Sequence, residues 1–270
     1  EPAAPADKAT PGRPRDTVEL DDDTIVDPPP AARLTQAHLL LAQAAEQRGD
    51  LKEAEQWLAK VDDTQAALEV QLRRASLLRR DGKLEEARAL IRSVPERQPA
   101  DARAKLLAEA QLLRDAKMWQ PASDVMGMAA KRFPQDADIA YEQSMIAEKL
   151  GQHDEMERLL RRVIELRPDS QHAYNALGYS LADRNIRLPE ARELILKALE
   201  LAPGEPFITD SLGWVEYRMG NREEALRHLR QAYKSRPDTE IGAHLGEVLW
   251  VSGQRDEARK VWRDGRARDA

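Results

Sequence analysis

The chain contains no cysteine among its 270 residues. That excludes disulfides, thiol catalysis and cysteine-ligated zinc. Aromatic residues are scarce, at 4%. No stretch approaches the roughly 18 consecutive apolar residues that a membrane-crossing helix needs. An excess of positive charge is missing as well. The net charge is −6, so the basic footprint required for duplex nucleic acid is lacking. The zinc-protease helix motif, the glycine-rich phosphate loop and the nucleophile elbow are all absent. The five histidines, His38, His153, His172, His228 and His244, include no i, i+4 pair. No metal, no cofactor and no catalytic residue is expected, and the chain reads as a non-enzyme.

What is present is a period. Pro99, Pro134, Pro168, Pro203 and Pro237 recur at intervals of 34 or 35 residues. Ala54, Ala87, Ala122, Met156, Ala191, Ala225 and Ala258 keep the same time at 33 to 35. From residue 34 onward apolar residues recur at three and four, as amphipathic helices require. Glycine or Gly-Asn turns interrupt them at Gly49, Gly82, Gly151, Gly220-Asn221 and Gly253, with Lys117 in that place in the third repeat. Acidic residues follow the glycine turns, as in L-K-E-A-E, K-L-E-E-A, R-E-E-A and R-D-E-A, which suits the positive end of a helix. Such a period describes helical hairpins that bury their apolar faces against one another. The pattern predicts an all-α, right-handed α-solenoid of seven hairpins: about 35–67, 68–101, 102–136, 137–170, 171–204, 205–238 and 239–270. The recurring alanine belongs where the two helices of a hairpin approach most closely. Met156, being larger, predicts the loosest hairpin.

Residues 1–33 differ in kind. They hold seven of the 16 prolines and the acidic run Asp21-Asp22-Asp23. Too little apolar surface is available there to offset ordering, so 1–33 reads as a Pro-rich acidic disordered tether or linker, and 34–270 as the solenoid. The chain starts at Glu1 rather than methionine, and is read as a processed product or a piece of a longer protein.

Three stretches carry a resemblance. Leu177-Gly178, Ala191, Ala198 and Pro203 form one set. Leu212-Gly213, Gly220, Ala225, Ala232 and Pro237 form a second, and Leu245-Gly246 opens a third. They resemble the tetratricopeptide repeat across about 35–270. The runs 172–185, 210–220 and 240–250 are similar to the C-terminal half of proteobacterial envelope repeat lipoproteins. Those relatives act as adaptors that bring peptidoglycan hydrolases to a periplasmic carboxyl-terminal processing protease. The resemblance implies a periplasmic protein, anchored to the outer membrane through a lipidated segment upstream; a cytoplasmic location stays open. It implies protein partners, among them that protease and cell-wall hydrolases.

In such folds the first helix of each hairpin lines the concave groove. Helical spacing then selects Tyr141 and Met145 in the fourth repeat, His172, Asn175 and Tyr179 in the fifth, Phe207, Asp210, Trp214 and Tyr217 in the sixth, and Trp250 in the seventh. In the seventh the same register selects Glu240, Ala243 and Glu247. These form an aromatic and acidic partner-binding groove, on the expectation that the Leu-Gly, Ala and Pro positions already account for packing. In the earlier repeats Gln36, Gln43, Glu46 and Gln47 line one groove, and Arg79, Arg80 and Arg114 form a basic set suited to an acidic segment such as Asp21–Asp23. A chaperone-type carboxylate clamp is disfavoured by Leu39, Gln43, Leu72 and Ser76. An alternative reading is a structural assembly factor that self-associates through its ends, with Val251, Val261 and Trp262 expected to be exposed on the last hairpin.

Overall fold

The structure, a computed structural model, describes residues 30–61 and 67–268. The readings placed on 1–29, including Asp21–Asp23, lie outside the described residues. Every regular element among the described residues is a helix, in seven consecutive pairs. The pairs are α1 (Pro30–Gln47) with α2 (Leu51–Leu58), α3 (Ala67–Arg80) with α4 (Leu84–Ser93), and α5 (Pro99–Asp115) with α6 (Trp119–Arg132). Then come α7 (Ala137–Lys149) with α8 (His153–Leu166), and α9 (Gln171–Asp183) with α10 (Leu188–Leu201). Last are α11 (Pro206–Arg218) with α12 (Arg222–Ser235), and α13 (Thr239–Val251) with α14 (Arg255–Arg266). The all-α solenoid expected from the period is therefore present. The chain divides into two compact units, Glu1–Ala66 and Ala67–Ala270. The first contains one described hairpin and the second the remaining six.

The local reasons for this layout are visible at the turns. Between α5 and α6 the hairpin turn places Lys117 at φ 56°, the left-handed conformation that glycine takes in the corresponding turns, as at Gly220 with φ 90°. The longer fifth repeat closes on two such residues, Asn185 and Arg187, at φ 56° and 46°. Helix starts are capped by carboxylates. Asp136 accepts the backbone N–H of Asp138 and Ile139 at 3.0 and 3.2 Å, and Glu205 accepts that of Ile208 at 2.9 Å. Pro134, Pro168, Pro203 and Pro237 each follow the end of a second helix, but Pro99 does not. Helix α4 ends at Ser93, and Pro99 opens α5, where its missing N–H is harmless.

The recurring alanines are essentially inaccessible in the six hairpins that carry them, as close helix approach demands. Met156 is buried too, in one cluster with Leu159, Leu160 and Val163, so the larger side chain is accommodated and α7/α8 is not the loose hairpin expected. Arginine and glutamate tie successive second helices together. Arg161 on α8 reaches Glu190 on α10 at 2.5 Å, and Arg230 on α12 reaches Glu257 on α14 at 2.7 Å. Not every carboxylate is solvated, however. Glu109 is buried on α5 and held by Arg88 at 3.1 Å and Arg92 at 2.5 Å from α4. Glu216 is buried on α11 and held by Arg192 at 2.6 Å and Asn221 at 2.7 Å. Paired in this way, the two carboxylates fix how neighbouring helices sit, since removing one partner would leave a buried charge uncompensated.

Candidate protein-binding groove

The first helices of the last three hairpins converge. Tyr179 on α9 and His244 on α13 are 65 residues apart, two hairpins along the chain, yet their Oη and Nε2 atoms meet at 3.2 Å. Their side chains close over α11, which lies between them. The first helices therefore line the inner, tighter surface of this part of the stack.

On α11, Asp210, Trp214 and Tyr217 follow at steps of four and three and share a face. Asp210 Oδ2 lies 2.7 Å from His244 Nδ1. The Trp214 ring stacks on His244 at 4.4 Å between centroids and lies 5.3 Å from Tyr217. The Tyr217 hydroxyl donates to Glu247 Oε1 at 3.4 Å. Tyr141, Met145, Tyr179 and Tyr217 are half-buried against the core shared by α7 to α11. The structure thus brings Tyr179, Asp210, Trp214 and Tyr217 into one cluster, with Tyr141 and Met145 packed on the same core.

Four expected residues stand apart from that cluster. Trp250, at 36% exposure, lies 5.7 Å from Trp262 between centroids, with the Arg255 and Arg259 guanidinium carbons 5.2 and 5.4 Å from its ring. Phe207 lies under Arg236 at 4.8 Å. His172 is exposed, beside Gln171 at 3.3 Å. Asn175 is half-buried and its Oδ1 finds no hydrogen-bond partner.

Two expectations need correction. Trp214 and Asp210 are 5% and 4% exposed, and Trp214 belongs to the core. Packing is therefore not complete without them: Gly213, next to Trp214, lets α12 close in, and the indole fills the space over His244. On the last hairpin Val261 is buried and Trp262 is half-buried, because Trp262 lies over Gly246 so closely that a Cβ there would stand 2.0 Å from its Nε1. Val251 alone of the three is exposed, at 43%. The basic set of the earlier repeats is largely neutralised from within: Arg79 lies 3.3 Å from Asp115, and Arg114 pairs with Glu142.

His244 was outside the expected groove, since the Leu-Gly register selects Ala243, about 100° away around the helix. Its 34-residue spacing from Asp210 was the signal available.

Electrostatically this wall is acidic. Burial pushes the Tyr179 phenol far above its ordinary range, and the charges of Asp183, Glu240, Asp210 and Glu148 add to the effect. Burial likewise raises Tyr141, with Glu148 contributing. Asp210 is raised by burial, against the hydrogen bond of His244. Burial opposes charge on His244, but the hydrogen bond and charge of Asp210, with Glu240 and Glu247, outweigh it and hold the imidazole above its usual value. Both members of the pair thus keep a proton longer folded than unfolded. The stability contributed by His244 is fully present below about pH 6.5, its unfolded value, and is lost as pH rises through the higher folded value. The thermal midpoint is expected to decline as pH rises above about 6.5, and the neutral pair Asp210→Asn/His244→Gln is expected to flatten that decline. An unchanged slope in that variant, followed by thermal unfolding at several pH values, would remove the pair from this role.

Among the described residues, no group of three or more His, Cys, Asp or Glu is placed to hold a metal ion. No helix there is long and apolar enough to cross a membrane. What the wall offers is aromatic surface edged with carboxylates.

Comparison with known sequences agrees with this geometry. Family models described as tetratricopeptide repeat match residues 35–60, 137–170, 156–206 and 211–270, together more than half of the chain. The chain belongs to the tetratricopeptide-repeat (TPR) family. It is 42% identical over 211 residues to the TPR repeat-containing protein PA4667 of Pseudomonas aeruginosa, which covers 78% of this chain and 36% of that protein. The chain therefore spans about a third of that relative's length. Solved TPR structures share the fold. A TPR protein of Parabacteroides merdae superposes with a TM-score of 0.65 at 13% identity, over 87% of this chain and 93% of its own. TTC0263 of Thermus thermophilus does so with 0.55 at 22%, over 60% and 89%. YrrB, a TPR protein with an unusual peptide-binding site, gives 0.52 at 22%, over 72% and 95%. TPR proteins in general mediate contacts between proteins, and the repeat fold suits a scaffold rather than an enzyme.

Proposed function

We propose that this chain is a non-catalytic scaffold that receives an extended or helical segment of a partner protein along the wall built by α7, α9, α11 and α13. The observation that carries the reading is the convergence of Tyr179, Tyr217 and Glu247 around His244, which leaves half-buried aromatic rings and carboxylates on the inner surface. Rigid tyrosines at partner surfaces commonly supply a large share of binding energy. The compartment in this reading is the bacterial cell envelope, with a carboxyl-terminal processing protease and cell-wall hydrolases as partners. Its support is the likeness of 172–185, 210–220 and 240–250 to envelope adaptor repeats.

Tyr217→Ala is the test. The ring is half-buried rather than core, so the variant is expected to fold and to bind the purified protease at least about thirtyfold more weakly, the loss of about 2 kcal/mol typical of a hot spot. Undiminished binding by surface plasmon resonance would remove the groove from the interface. A second reading, assembly through the last hairpin, draws on the exposure of Trp250 and Val251. Sedimentation velocity distinguishes it: Val251→Glu would dissolve a self-associated species and leave protease binding intact.

A further inference from the structure

Many carboxylates of the second helices are matched with arginine, as in Arg158–Glu155 at 2.6 Å, Arg227–Glu224 at 2.6 Å and Arg230–Glu257 at 2.7 Å, while single ones there, such as Asp154, Glu193 and Glu223, have no ion-pair partner among the described residues. The inner wall differs in gathering unpaired carboxylates around one aromatic cluster. Among the described residues, Asp183, Glu240 and Glu247 have no ion-pair partner, although all three are exposed and act on the same aromatic cluster. Glu148 has only its sequence neighbour Lys149, at 3.8 Å. Four carboxylates on three helices, α7, α9 and α13, thus bring like charge to one place.

A second observation marks the same place. Asp210 and Trp214, both more than nine-tenths buried on the face of α11 that meets His244, keep Oδ1 and Nε1 without a hydrogen-bond partner. Buried polar atoms normally find a partner, so two orphans on adjacent turns mark an incomplete site. The cations nearby are already engaged. Arg218 donates to the Asp183 carbonyl at 3.2 Å and lies 5.7 Å from the Trp214 ring, and His244 is held by Asp210. Aromatic faces beside unpaired carboxylates attract ammonium and guanidinium groups in particular.

We infer that the wall between α9 and α13 selects a partner segment carrying lysine or arginine, whose cationic side chains sit against Tyr217 and among Asp183, Glu240 and Glu247. The inference rests on the groove reading above and gives the chemistry of its occupant.

Fluorescence anisotropy with the full chain tests it, using a short labelled peptide of lysines spaced by alanine and serine and the same peptide with glutamine for lysine. The lysine peptide is expected to bind at least about tenfold tighter, and to lose that advantage between low salt and about 0.3 M as screening sets in. Glu240→Gln/Glu247→Gln is expected to cost the lysine peptide about tenfold and leave the glutamine peptide unchanged. Neutralising two exposed carboxylates of the second helices, Glu165→Gln/Asp256→Asn, should change neither. Equal binding of the two peptides, no binding of the lysine peptide at low salt, or equal effects of the two double variants would overturn the inference. The groove reading fails separately, through undiminished protease binding by Tyr217→Ala. Loss of protease binding in that variant, with the two peptides bound alike, keeps the groove and discards its preference for cations.

Discussion

Trp214→Ala is expected to cost this protein about 3–5 kcal/mol of stability, the range for removing a large buried aromatic side chain. The indole is 5% exposed, shares a core with Leu212 and Val215, and stacks on His244 at 4.4 Å. Removing it leaves a cavity bounded by three hairpins and withdraws the ring on which the Asp210–His244 pair rests. Denaturant unfolding followed by far-ultraviolet circular dichroism should show an earlier transition for α9 to α14. Trp214→Phe should recover most of the loss, since it keeps a ring and deletes the unpartnered Nε1. A change below about 1 kcal/mol for the alanine variant would contradict the packing described here. For the same reason, weak partner binding by Trp214→Ala would not identify a contact residue. Tyr217 and Glu247, nearer the surface, are the informative positions.

The second large effect is expected at Gly178. A Cβ there would stand 2.7 Å from Ile195 Cγ1 and 2.8 Å from the Ala191 carbonyl oxygen. A flexible side-chain tip can move aside, but a helical carbonyl cannot, so α9 and α10 must separate. Gly178→Ala is expected to destabilise by about 1–3 kcal/mol. Gly127, in the middle of α6, provides the opposite sign with the same chemistry. A Cβ added there meets nothing within 4 Å. Gly127→Ala should stabilise by about 0.4–1 kcal/mol through helix propensity and a less flexible unfolded chain. Thermal unfolding of the two variants side by side checks both. Shifts in the same direction would mean that Gly178 does not set the distance between α9 and α10.

The period was enough to read the helices, because each repeat must satisfy the same local rules of turn, cap and close approach. Even Lys117, which breaks the glycine pattern, occupies the turn that the spacing assigns to it. The site was less legible. The register placed Tyr179, Asp210, Trp214 and Tyr217 on one surface, and they do meet. It selected Ala243 and passed over His244, because a groove formed by side chains reaching across two hairpins depends on curvature, which no single repeat encodes. Nor can a periodic pattern separate an aromatic residue on the inner surface from one inside it. Trp214 and Trp250 were both assigned to the inner surface by the same register, yet one is core and the other lies between arginines. Burial of Glu109 and Glu216 was hidden for a related reason: their arginine partners lie 17 to 24 residues away on the preceding second helix.

The contact between Tyr179 and His244 has a mechanical consequence. An array whose repeats touch only their nearest neighbours behaves as a soft spring, in which each joint flexes and melts on its own account. A bond from one hairpin to the next but one adds a strut across two joints. The last three hairpins are thereby stiffened against opening and made to yield together.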